Sequence, residues 1–80
     1  MFSYTVAKET DNEAFVSVCA LIESSFPTIE KEELLIDVDG STIQIYHFNN
    51  ETIKVFDDYY VDATYVDSEI DLNHLITSLV

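Results

Sequence analysis

The chain has 80 residues and a formal charge of −13, set by 16 acidic residues against three lysines and no arginine. That charge repels nucleic-acid phosphates and anionic lipid alike, so direct binding to either is not expected. A chain this short forms one thin core, which disfavours a deep, walled enzyme pocket. Its hydrophobic fraction of 48% is nevertheless too high for a disordered acidic tail.

One glycine and one proline place most of the chain in regular structure. Phe2, Tyr4 and Val6 alternate with small or polar residues and predict a first strand. Thr10-Asp11-Asn12-Glu13 has the pattern of a helix start. Phe15, Val18, Cys19, Ile22 and Phe26 then follow helical spacing, which predicts an amphipathic helix over 12–25, stopped by Pro27. Cys19 sits within that apolar stripe and reads as a small core side chain.

Leu34, Ile36 and Val38 alternate up to Asp39-Gly40, a strong hairpin signal that would oppose Ile36 with Ile43 and Leu34 with Ile45. At Asn49-Asn50 a three-residue loop would oppose Ile45 with Ile53 and Ile43 with Val55. A two-residue loop would instead set Ile45 against Lys54 and mix the faces. A turn near Asp57-Asp58-Tyr59 would oppose Val55 with Val61. On the other face it would pair Phe56 with Tyr60, Lys54 with Asp62 and Thr52 with Thr64. Ser68-Glu69-Ile70-Asp71 signals a second helix, with Leu72, Leu75, Ile76 and Leu79 as its apolar side. The expected fold is a single α+β domain over residues 1–80, β-α-β-β-β-β-α, an antiparallel meander with two helices packed on one face.

In that arrangement the helices cover Ile36, Ile43, Ile45, Ile53, Val55 and Val61. The opposite face carries Leu35, Asp37, Gln44, Tyr46, Phe48, Lys54, Phe56, Tyr60, Asp62 and Thr64. Tyrosines beside carboxylates suit the capture of Arg and Lys side chains. The expected partner-binding residues are Asp37, Tyr46, Phe56, Asp57, Asp58, Tyr60 and Asp62. Asp37/Asp39 and Asp67/Glu69/Asp71 also have strand spacing of about 7 Å on one face, comparable to successive phosphates of a nucleic acid.

Other chemistry finds little support. Asp37-Val38-Asp39-Gly40 fails the calcium-loop pattern, since glycine falls at the fourth position and Phe48 at the twelfth. His47 and His74 lack a zinc-site spacing. No nucleophile elbow or glycine-rich phosphate loop is present. No catalytic residue, metal or cofactor is therefore expected. Residues 1–8 lack a basic stretch followed by an apolar run, and no apolar run reaches membrane-spanning length, so a cytoplasmic location is expected, in the producing cell or a host.

Size and acidity are similar to those of acyl carrier proteins. Those are helical bundles with Asp-Ser-Leu at a helix start, and the nearest match here, Asp67-Ser68-Glu69, follows a strand-like segment. The composition resembles that of phage anti-defence proteins, including anti-CRISPR proteins and inhibitors of restriction or repair enzymes. The likeness is to a functional class, without a shared motif. It implies a small non-catalytic inhibitor that docks on a basic, nucleic-acid-binding protein surface, as a DNA or RNA mimic. The alternatives are an immunity protein or antitoxin against a basic nuclease, and a homodimeric structural module joined through the aromatic face.

Overall fold

A computed structural model describes residues 1–77. Helix α1 (Asn12–Ser25) forms where its apolar period predicts, with Phe15, Val18, Cys19 and Ile22 buried. Asp11 is its N-cap, accepting the Ala14 N–H at 3.1 Å. Phe26 closes the other end by donating its N–H to the Ile22 carbonyl, and Pro27 follows.

The strands form one antiparallel sheet. β1 (Phe2–Ala7) is an edge, followed in space by β6 (Ala63–Ser68), β5 (Glu51–Asp58) and β4 (Thr42–Phe48). The far edge is split into β2 (Glu30–Lys31) and β3 (Leu35–Ile36), both paired with β4. The strand expected over 34–38 is thus reduced to Leu35–Ile36, and a short piece outside that expectation, Glu30–Lys31, precedes it. Helix α2 (Asn73–Ile76) completes an α+β fold, and Leu72 and Ile76 join the α1 stripe in one core. The start signal at Ser68-Glu69-Ile70-Asp71 precedes this helix as a turn: Ser68 Oγ accepts the Ile70 N–H and Asp71 Oδ1 the Asn73 N–H. Leu79, expected on the second helix, lies outside the described residues. No helix among the described residues is long and apolar enough to cross a membrane.

All three hairpins differ from expectation in register. Gly40, at φ +90°, ends a three-residue turn, so Leu35 rather than Ile36 opposes Ile43. Glycine supplies the positive φ that such a turn requires. Asn49 and Asn50 both have left-handed backbone, at φ 51° and 65°. They form the two-residue turn that opposes Ile45 with Lys54 and Tyr46 with Ile53. This type of turn matches the twist of its flanking strands. The third turn spans Tyr59-Tyr60-Val61-Asp62, so Val55 opposes Val66, Phe56 opposes Tyr65 and Lys54 opposes Asp67.

These registers exchange the faces of β4. Tyr46 is fully buried under the helices, beside Ile53, Val55 and Val66. Its hydroxyl donates to Glu23 Oε2 at 2.6 Å. Gln44 faces the same side and donates to the Glu32 carbonyl at 2.6 Å. Ile43 and Ile45, expected in the core, lie on the uncovered face with Phe56 and Tyr65. Ile36 and Val61 are exposed.

Candidate interaction surface

Seven of the ten large hydrophobic side chains exposed among the described residues lie in two short segments, Leu34, Leu35, Ile36 and Val38, and Tyr59, Tyr60 and Val61. The sheet brings the segments together, because the β3–β4 and β5–β6 turns emerge at one end. They touch: a Cβ placed on Gly40 would lie 3.4 Å from Tyr59 Cε2. The Tyr59 N–H also donates to Ser41 Oγ at 2.8 Å. Val38 is fully exposed and Tyr60 is 89% exposed. An apolar patch on this scale marks an interaction site more often than a scattered surface does.

Carboxylates alternate with these side chains, and turn hydrogen bonds orient each one. Asp37 Oδ1 accepts the Val38 N–H at 2.7 Å. Asp39 Oδ1 accepts the Ser41 N–H at 2.9 Å, which holds its carboxyl below the usual range. Asp58 Oδ1 accepts the Tyr60 and Val61 N–H groups, and its Oδ2 accepts the Tyr65 hydroxyl at 3.0 Å. Asp62, at φ 54°, accepts the Thr10 N–H at 3.1 Å and ties the segment before α1 to the same end. The free oxygens of Asp37, Asp39 and Asp62 are thus presented from fixed turns.

Of the seven residues expected to bind a partner, Asp37, Asp58, Tyr60 and Asp62 gather at this end. Phe56 lies next to it on the uncovered face, its ring stacked on Tyr65 with centroids 4.7 Å apart. Tyr46 and Asp57 do not belong. Both face the helices, and Asp57 is only 4% exposed. Its carboxylate accepts the Asp11 N–H at 3.0 Å and lies 3.0 Å from Thr64 Oγ1. Reversed parity in β4 accounts for Tyr46. Asp57 is buried because β5 runs on through Asp58 instead of turning at Asp57, which leaves it on the covered face with Ile53 and Val55. The sequence pattern puts Val38 and Val61 on strands, on the covered face, and the structure instead exposes both in turns beside Tyr59.

The carboxylates spaced two apart do not form strand rows. β3 ends at Ile36 and β6 at Ser68, so Asp37/Asp39 and Glu69/Asp71 lie in turns. The principal concavities are shallow, one of about 650 Å³ over Glu30, His47, Phe48 and the Asn49-Asn50 turn and another of about 360 Å³ over Lys54, Phe56 and Asp67. Among the described residues no three His, Cys, Asp or Glu side chains converge as a metal site. Comparison with protein-family models, curated proteins and solved structures finds no match.

Proposed function

We propose that the protein is a small acidic, non-catalytic binding protein that docks on a basic protein surface of the kind that holds nucleic acid, and blocks it. The observation that carries this reading is the interleaving of Val38, Tyr59, Tyr60 and Val61 with Asp37, Asp39, Asp58 and Asp62 at one end of the sheet. Exposed aromatics provide rigid contact area, and oriented carboxylates can grip Arg or Lys. The charge of −13 adds long-range attraction to a cationic partner. Anchors combined with charge support the reading; a copy of phosphate spacing is not needed for it.

The test uses the tagged full chain as bait in a lysate, with elution by rising salt and purification of whatever is retained. The expected partner is basic, is lost by a Tyr60→Ala/Asp37→Asn double variant, and cannot hold nucleic acid and this protein together. Equal retention by the double variant, or a ternary complex with nucleic acid, overturns the proposal. Recovery of the chain alone, as a dimer in sedimentation, would favour pairing of the uncovered faces through Ile43, Ile45, Phe56 and Tyr65.

A further inference from the structure

We infer that β3 and the groove beside α1 receive an extended segment with basic flanks, which joins the sheet as an added strand. This inference rests on the reading of the chain as a binder of basic partners, and it specifies the mode of contact.

β3 pairs on one side only, with β4. The Asp37 N–H donates inward to the Ser41 carbonyl at 2.8 Å, and Leu35 opposes Ile43. Antiparallel alternation therefore turns the N–H and C=O of Ile36, which lies between them, away from the sheet. Its side chain is 69% exposed, and those of Leu34 and Leu35 are exposed as well. Edges are blunted by shortness, charge, proline or a cover. β3 is short, at two residues, and offers the one outward peptide unit at Ile36. Residues 34–36 nevertheless carry no proline or charge and no cover among the described residues, and the neighbouring Lys31 is engaged 3.1 Å from Glu23.

A groove of about 330 Å³ lies between α1 and the chain leading into β3, lined in part by Val16, Cys19, Ala20 and Leu34 together with the paired Glu23 and Lys31. An added strand would turn one row of side chains toward it. Backbone pairing at an edge with alternate side chains in an adjoining groove is an established way to bind an extended peptide.

Charge selects the occupant. Exposed Glu32 and Glu33 precede the apolar run, and exposed Asp37 and Asp39 follow it. A segment with alternating apolar residues and Lys or Arg at both ends complements that pattern. A second copy paired antiparallel across Leu35 would set Glu33 against Asp37 at both ends, and like charges directly opposed are destabilising.

The test selects heptapeptides from a random display library on the immobilised full chain, then measures their binding in solution. Enriched peptides should alternate apolar residues between basic ends. Their affinity should fall by about tenfold with Ile36→Pro, and equally when one backbone amide of the peptide is N-methylated. Ile36→Val should bind as the parent does. Proline here removes an outward N–H and no ladder bond, and the N-methylated peptide tests the same contact with the protein unaltered. Base-rich peptides without alternation, or peptides indifferent to N-methylation, overturn strand addition while leaving the charge-based reading intact. Enrichment without basic residues overturns both. Self-association abolished by Ile36→Pro identifies a second copy as the occupant and overturns the inference.

Discussion

The ring of Tyr59 lies over Gly40, where a Cβ would stand 3.4 Å from Tyr59 Cε2. That distance is ordinary contact, so space alone does not require glycine. The backbone does: Gly40 has φ +90°, a conformation unfavourable to L side chains. Gly40→Ala is expected to destabilise the fold by about 1 kcal/mol. Chemical denaturation measures this, and an unchanged midpoint would refute the assignment of the turn.

Tyr46 and Glu23 join α1 to the sheet. The Tyr46 hydroxyl, with Lys31 beside it, holds the Glu23 carboxyl below the usual glutamate range. A depressed carboxyl stabilises the fold above its unfolded pKa, and that contribution is lost as pH falls through the lower folded value. Tyr46→Phe is expected to cost about 1 kcal/mol near neutrality, because Glu23 remains partly solvated. The difference from the parent should narrow under acid. Denaturation midpoints of both proteins across the acid range provide the measurement, and a constant difference would contradict the linkage.

The contrast between α1 and the hairpins explains what the sequence revealed. Phe15, Val18, Cys19 and Ile22 repeat with only one period, and Asp11 caps the helix locally. In β4, by contrast, Ile43 and Ile45 alternate with Tyr46 and Phe48, so either face could be the core. The choice falls to turn length at Asn49-Asn50, where one residue reverses every side chain. The burial of Asp57 depends on the Asp11 amide, 46 positions away, which no local pattern signals. Asp37, Tyr60 and Asp62, expected on a strand face, are exposed for another reason: they lie at or within turns, where exposure does not depend on strand parity, and Asp58 ends β5 beside them.

Asp58 also governs a neighbouring phenol. Burial, chiefly, and the hydrogen bond to Asp58 raise the pKa of Tyr65 to about 12. The neutral phenol is thus favoured in the folded state. Its contribution is complete below the ordinary tyrosine pKa and is lost as pH rises toward about 12. Asp58→Asn should move the titration down toward the ordinary value without reaching it, since burial remains. The Cζ shift of labelled tyrosine, assigned with Tyr65→Phe, follows the titration. No displacement in the Asp58 variant would show that the carboxylate has no part in it.

Thr42 opposes Ile36 across the ladder at the candidate docking edge, and its Oγ1 is buried without a hydrogen-bond partner. A buried hydroxyl of this kind costs desolvation with no compensating bond. Valine has nearly the same shape and favours strands. Thr42→Val should therefore stabilise the fold by roughly 1 kcal/mol, seen as a higher denaturation midpoint at unchanged slope. If a water molecule satisfies the hydroxyl, the midpoint will fall instead. The substitution leaves the outward peptide groups of Ile36 in place, so peptide binding at the β3 edge should persist in the stabilised variant.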